Sequence, residues 1–529
     1  MNGLLCKIKT LLGFGHPELK PGEEKPPKNM NEVIERLPED FKKYMQEERP
    51  YRRAAALAFI IIVFGLGGPL WYYSTRTYRA HFDTFPEEQT ISLSVQIHLA
   101  VTNKTPESEL GPLEQVILHH LQDGEVKSPL NIQWNILNEG LRDIHSLEND
   151  RIMSSESLEV YIAVVSPEQW TQFSAINVFL GRGRWAFVQY TSEKEKLLER
   201  LHTLIWEVMV DVPHLNAIVK RDMRERMEPW QIAALSPSHQ VIHVHDNASP
   251  ETFRPSNIME VIGVFAKRLR NVTKIQLSSE HLWDFEISNF FETDVQGRYT
   301  LTQGGMERLL KEVDSQLLSV ESSLPVLKMI IIEVDVPVVM LDPTGEDSHG
   351  AAVASWGAVV PRIGLGETEE SAQPGARVLG ALRVLLGVDS DLPSTWKRSS
   401  VPLAVWEVDR MRLRAILDNS MRAISAVKAL KALTVKITNV VISDDVAARA
   451  TQAVRLVTEG LTNPKAPQLK KISAGRQLAD EALHDPSLLA MLYFPKDQTM
   501  AVYLPIMLPT LIPLFGSIIA LCKWALGWS

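Results

Sequence analysis

Four groups of side chains in this sequence have types and spacings suited to chemistry. His239, His243 and His245, with Asp246 beside them, fall within eight positions. On a strand His243 and His245 share one face, a usable geometry for a transition metal. Glu333 with Asp335, and Asp389 with Asp391, repeat an acid-x-acid spacing. Carboxylates so placed hold a hard divalent cation through oxygen, as a metal-dependent glycosyltransferase acting on nucleotide-sugar diphosphates does. Ser348, His349 and Ser355 offer hydroxyls and an imidazole for hydrolysis.

Each group has a plainer reading. No base and orienting acid stand at fixed spacing from the serines. G-x-S-x-G, H-E-x-x-H, the P-loop and paired C-x-x-C are all absent. Gly181 and Gly183 lead into a strand instead of opening a helix, so they read as a turn and not as a phosphate cradle. The histidines and acidic pairs read as polar strand ends and turns. The expectation is therefore no catalytic residue, no metal ligand and no cofactor. A lumenal metal-dependent enzyme of glycolipid synthesis stands as the alternative.

Two apolar segments frame these groups. Ala54 to Tyr73 is twenty residues without a charge, about 30 Å as a helix, the thickness of a bilayer core. Ala501 to Leu521 is equally uncharged. Lys42, Lys43, Arg49, Arg52 and Arg53 precede the first segment, and only Arg76 and Arg79 follow it closely. That bias places the N-terminus in the cytosol. The expected organisation is a cytosolic arm over 1–53, a span over 54–73, a lumenal domain over 74–500, a second span over 501–521 and a cytosolic tail over 522–529. The two cysteines, Cys6 and Cys522, both fall outside the lumenal portion, which therefore has neither disulfides nor a thiol nucleophile. Three N-glycosylation candidates, Asn103, Asn247 and Asn271, fall inside it. The net charge of -9 gives no basic excess for nucleic acid.

Between the spans, strand and helix patterns alternate. Period-two stretches predict strands over 90–101, 157–165, 184–191 and 240–247, and the apolar run 326–341 predicts one central strand. Helical spacing predicts helices over 192–212 (with Ser192 as N-cap), 257–272, 304–318 and 370–387, and through most of 409–459. The fold class expected is a mixed α/β lumenal domain with a helical C-terminal section, flanked by two transmembrane helices. No repeat is evident in the residues.

The second span carries Pro505, Pro509 and Pro513. Four-residue spacing keeps them on one helical face, and each removes the N–H that would satisfy the carbonyl four residues back. A bare carbonyl in hydrocarbon is costly, so this face is expected to kink and to pack on protein or lipid. Ala54, Ala58, Gly65 and Gly68 in the first span offer small surfaces for close approach.

"GGPLWYYSTRTYRA" (67–80), "LYFPKDQTMAVYLPIMLPTLIP" (492–513), "SWGAVV" (355–360) and "LTVKITNVVISDDVAARATQAV" together resemble PIG-S, the class S family of glycosylphosphatidylinositol (GPI) transamidase subunits. In "SWGAVV", Ala358 replaces the second glycine of the family's W-G-G. The resemblance implies a non-catalytic structural subunit of a complex in the endoplasmic-reticulum membrane. That complex cleaves C-terminal signal peptides and attaches preassembled GPI anchors. The partners implied are other transamidase subunits, including a caspase-like cysteine protease, and membrane lipid, GPI among the candidates.

Overall fold

The computed structural model describes residues 38–75, 78–86, 91–101, 130–137, 157–167, 170, 175–220, 238–246, 258–273, 275–293, 298–317, 326–334, 338–341, 346–348, 350–353, 356–363, 375–388, 392–436, 440–490 and 496–526. They fall into two units: Met1–Tyr78 with Ala490–Ser529, and Arg79–Leu489.

The first unit opens with helix α1 (Glu39–Ile61), which passes into a π-helical segment, Ile62–Gly67, and then α2 (Gly68–Thr75). The stretch Glu47–Tyr73 is long and apolar enough to cross a membrane.

The second unit begins with an open sheet. Its strands are β1 (Leu93–Val101), β2 (Leu130–Leu137), β3 (Glu159–Val165), β4 (Val178–Leu180) and β5 (Trp185–Gln189). They are followed by α3 (Lys194–Thr203), a π-helical segment Leu204–Met209 and α4 (Val212–Lys220). The predicted helix over 192–212 thus starts at Lys194, with Glu193 and not Ser192 at its N-cap, and changes to π geometry where Val210 N–H donates to the Ile205 carbonyl. Asp211, in the left-handed region at φ 59°, turns the chain into α4.

A second series follows: β6 (Ser238–Asp246), α5 (Ile258–Leu269), β7 (Gln276–Phe285), β8 (Glu292–Thr293), β9 (Tyr299–Leu301), α6 (Gln303–Gln316), β10 (Leu327–Val334), β11 (Val338–Leu341), β12 (Asp347–Ser348), β13 (Ala351–Val353), β14 (Gly357–Ile363), α7 (Ala376–Leu385) and β15 (Trp396–Arg398). The apolar run 326–341 is therefore two strands, not one. β10 sits between β6 and β14, while β11 joins a separate small sheet, ordered β12-β11-β9-β8. Pro337, which has no N–H to give a ladder, lies between the two.

The two large sheets repeat one plan. The first is ordered β4-β5-β3-β1-β2, with β15 added at the β4 edge, and the second β13-β14-β10-β6-β7. In each, the first strand lies beside the second on one side and the third on the other, all parallel. In each, the last parallel strand carries an antiparallel strand that immediately precedes it in sequence. The backbone agrees in detail: Tyr161 N–H on β3 donates to the Arg184 carbonyl, and Lys328 N–H on β10 donates to the Trp356 carbonyl. This doubly wound order reverses direction between the first and third strands, where such sheets leave a crevice at the carboxyl ends.

The chain closes with the helical section: α8 (Val405–Lys436), α9 (Asp444–Leu461), α10 (Leu469–Leu483) and α11 (Pro486–Ala490). Burial explains the layers. Leu93, Val95, Ile97 and Leu99 alternate onto one face of the first sheet and pack with Leu413, Ile416 and Leu417 of α8 and Ile472 of α10. On the second sheet, α5 and α7 cover one face and α6 the other. α9 and α10 pack closely because Gly475 has no side chain. A Cβ there would approach Val457 Cγ2 to 2.7 Å and the Ala453 carbonyl to 3.0 Å.

α8 ties the two halves together through buried charge. Arg410 donates to the carbonyls of Val208, in the first half, and Val388, in the second. Arg414 reaches Asp211 on one side and the Gly387 carbonyl on the other. Arg184 Nε binds Asp409 Oδ2 at 2.6 Å. Burial lowers the Arg410 guanidinium to about 10, which leaves it charged at neutral pH.

The last element, α12 (Lys496–Ala525), returns to the first unit and packs on α1. Its stretch Ala501–Ala525 is the second segment able to cross a membrane.

Candidate functional site

His243 and His245 project from β6 on the same face and are almost fully buried. β7 lies alongside, with His281 directly opposite His243 in the ladder. Trp283, two residues on, joins the same face. The rings stack: His243 on His281 at 4.5 Å between centroids, and His245 on Trp283 at 4.2 Å, each pair within 8° of parallel. β10 on the other side brings Glu333, whose Oε1 is 3.0 Å from His243 Nδ1. His245 Nε2 is 3.0 Å from His281 Nδ1. The cluster thus stands toward the carboxyl ends of β6, β7 and β10.

This arrangement is not a metal cage. Parallel stacked imidazoles turn their nitrogens sideways toward one another and toward Glu333, whereas a metal needs them converging on one point. Among the described residues no group of three His, Cys, Asp or Glu is placed to hold a metal ion. His239 sits four residues earlier on β6, opposite Leu277 and Leu327, about 13 Å along the strand. Glu333 serves His243, while Asp335, Asp389 and Asp391 lie outside the described residues. Ser348 Oγ donates to the Gly350 carbonyl at 2.7 Å and closes a turn; His349 and Ser355 lie outside the described residues.

Burial pushes the His281 imidazole below its usual range, and the His243 charge adds to this; Glu333 opposes both. Burial lowers His98 on β1 in the same way. A group whose folded pKa is depressed gives stability that is present above its unfolded value, about 6.5, and is lost as pH falls through the folded value. Stability is therefore expected to fall as the pH drops below about 6.5. His281→Gln should flatten that slope. Urea midpoints of both proteins across that window test it, and equal slopes would remove His281 as a cause.

Of the glycosylation candidates, Asn271 is exposed in the turn after α5, while Asn103 and Asn247 lie outside the described residues.

In the first unit, α12 continues as α-helix through Pro505, Pro509 and Pro513. Tyr503, Leu511, Leu514, Ser517, Ile518 and Leu521 on α12 are buried or half-buried, as are Arg53, Ala56, Phe59, Ile60, Val63 and Gly68 on the first apolar stretch. Leu511, Leu514, Ile518 and Leu521, and likewise Arg53, Ala56, Ile60 and Val63, step by three, four and three residues, the spacing of a helix–helix seam. The Arg53 guanidinium lies 4.9 Å from the centre of the Trp524 ring, so the start of one apolar stretch meets the end of the other. Ala54, Ala58 and Gly65 are exposed, off this seam, while Gly68 is half-buried. The prolines are exposed too. At 100° per residue, Pro505, Pro509 and Pro513 stand about 180°, 140° and 100° around the helix from Leu514. The proline face thus points away from the partner helix.

In the sequence Arg79 counts only toward the charge bias around the first apolar segment. In the structure Arg79 bridges to Ile442, and its guanidinium donates to the carbonyls of Thr434 at 2.8 Å and Val440 at 3.3 Å. It anchors the chain to the junction of α8 and α9. The "TYRA" passage carries this anchor in the sequence.

Two apolar helices bracketing a doubly wound α/β body, with polar clusters that hydrogen-bond inward, define a class of membrane protein whose bulk lies between its two candidate spans. The chain belongs to the PIG-S family: the family model described as "Phosphatidylinositol-glycan biosynthesis class S protein" matches residues 58–526. It is similar to proteins named GPI-anchor transamidase component PIGS. The one from Bos taurus is 24% identical over 88% of this chain and 94% of its own. The Homo sapiens protein is 24% identical over the same shares. The Mus musculus protein is 30% identical over 42% of this chain and 44% of its own.

Proposed function

We propose that this chain is a non-catalytic, two-span subunit of the GPI transamidase complex in the endoplasmic-reticulum membrane. The observation that carries this reading is the family match across 58–526, together with relatives named as components of that transamidase. The absence of cysteine between residues 7 and 521 supports the non-catalytic part, because the central portion cannot supply a thiol nucleophile. A separate cysteine protease-like subunit then does the chemistry. Both termini are cytosolic, the body is lumenal, and Asn271 is its exposed glycan acceptor.

Mild-detergent purification of the tagged chain tests the reading. Recovery of a cysteine protease-like partner together with transamidase activity is expected. Purification of the chain alone from cells with normal GPI anchoring would overturn it.

The proline face is the surface on which the second span meets another membrane subunit or lipid. Replacing Pro509 and Pro513 by leucine restores two backbone N–H donors and changes the shape of that face without touching the seam to α1. Partner recovery should fall severalfold while the chain itself remains in the membrane. Unchanged recovery would remove the packing role.

A further inference from the structure

A cavity of about 580 Å³ lies within the Arg79–Leu489 unit, where the end of α5 meets the starts of α8 and α10. Asn271 is one of the residues that line it. Asn271 is also the acceptor of an N-x-T sequon completed by Thr273. It is exposed in the turn after α5, where the N–H groups of Val272 and Thr273 donate to the Leu269 carbonyl at 2.8 and 2.9 Å. A sugar chain attached to Asn271 therefore starts at the wall of a cavity.

The rest of the lining suits a sugar. Val405 and Val408, half-buried on α8, and Leu469, buried on α10, give it an apolar surface. Arg412 and Gln468 bring donors, and Asp409 and Gln468 bring acceptors. The first sugars of an N-glycan are matched to such a mixture. Their C–H faces and N-acetyl methyl groups cover apolar surface, and their hydroxyls both donate and accept. They carry no charge, so the wall needs no unbalanced cation to hold them. The volume falls in the range of small-molecule sites, with room for the innermost rings.

The cavity also lies on a joint. α5 belongs to the second half of the body, yet Val272 just after it packs against the core of the first sheet. Arg268 Nη1 donates to the Leu403 carbonyl, which ties α5 to the residues before α8. Arg412 Nη2 donates to the Pro467 carbonyl at 3.1 Å, which ties α8 to the residues before α10. α10 itself starts with no side-chain cap at Gln468, and its first-turn amides have no partner within the helix. A ligand in the cavity touches all three helices where they are joined by few bonds.

We propose that Asn271 is a structural glycosylation site: the innermost sugars of its glycan lie in this cavity and hold the end of α5 against the starts of α8 and α10. The inference rests on the lumenal reading above, because a cytosolic Asn271 receives no glycan.

The test uses the full chain, made with its glycans and purified in mild detergent. Glycopeptide mass spectrometry first reads the occupancy of Asn271. Amide hydrogen exchange is then compared in three forms: Thr273→Ser, which keeps the sequon; Thr273→Ala, which removes it; and the wild-type chain deglycosylated after folding by peptide N-glycosidase F. The last form keeps the comparison open where Thr273→Ala fails to fold. Residues 405–412 and 469–473 should exchange at least about fivefold faster in both glycan-free forms than in Thr273→Ser, a local opening of the joint. Exchange in β10 should be the same in all three. A glycan that points into solvent leaves the starts of α8 and α10 unchanged, and equal exchange there would overturn the inference. So would an unmodified Asn271 in a chain whose Asn103 or Asn247 carries sugar, with the lumenal reading left standing. Sugar on none of the three would remove that reading as well.

Discussion

Replacing Glu407 or Arg383 by alanine should cost the folded protein about 3–5 kcal/mol, the penalty for stranding one member of a buried ion pair. The two side chains are only 2% and 4% exposed, and Arg383 Nη2 lies 2.5 Å from Glu407 Oε1. Glu407 Oε2 also accepts from Arg383 Nη1 at 3.1 Å and from the Ala404 backbone N–H at 2.7 Å. The last contact is one half of a capping box, with the third residue of α8 reaching back to the residue before it. Glu407→Ala therefore strands a guanidinium and an amide at once. Arg383→Ala leaves the carboxylate with Ala404 and, at 3.5 Å, the half-exposed Arg398, so its effect should be the smaller of the two.

A joint Arg383→Met and Glu407→Leu change should recover most of the loss, because it leaves no buried charge. Urea unfolding of the three variants, followed by tryptophan fluorescence, measures this. Single losses below about 1 kcal/mol would mean that water reaches the pair. The consequence is local to the joint, since α8 begins where the second half of the body ends and carries Arg410 and Arg414 back into the first.

Gly357→Ala should prevent the second sheet from forming, with a loss of about 3 kcal/mol or more from combined backbone strain and overpacking. Gly357 has φ 154°, which side-chain-bearing residues rarely adopt, and a Cβ on it would fall on the carbonyl oxygen of Lys328. Lys328 is its partner in the ladder between β10 and β14. The turn before it is held by Trp356, whose Nε1 donates to Asp314 Oδ2 at 3.0 Å and whose ring lies 5.5 Å from Lys328 Nζ. A shift to relieve the clash would break that corner as well. Ala358, the next residue, is fully buried, and Ala358→Gly should cost only about 1 kcal/mol. The pair makes a sharp comparison by thermal unfolding. If Gly357→Ala were as mild as Ala358→Gly, the strand pairing at that corner would have to be looser than the structure has it. The same result explains why a W-G-G segment tolerates alanine at its third position here: the backbone demand falls on the second.

The two candidate spans, the strands with clean alternation and the long amphipathic helices were legible because each is a local pattern. An uncharged run of twenty residues needs no partner to be recognised, and Leu93, Val95, Ile97 and Leu99 announce β1 by period alone. β7 was not legible, because Ser278, Ser279 and Glu280 break the apolar alternation of an edge strand with one face partly in solvent. The run 326–341 looked like one strand because hydrophobicity cannot say which sheet a residue joins. The repeat of one strand order in both halves has no counterpart readable in the residues, since topology is preserved by burial and not by side-chain identity.

The same division applies to function. The absence of central cysteine, the two spans and the motifs around them were sequence properties, and they pointed to the PIG-S family before any fold was known. Only the tertiary structure decided what the chemical-looking side chains do. His243, His281 and Glu333 are 38 to 90 positions apart in sequence, and the parallel strands bring them together as a stacked, hydrogen-bonded set. Arg184, Arg268, Arg412 and Lys470 come from four separate elements and converge on one cavity. The helix seam chose Leu511, Leu514, Ile518 and Leu521, which left the proline face turned outward. Side-chain type is local, but burial, ring orientation and convergence depend on contacts across hundreds of residues, and those exist only once the sheets have paired.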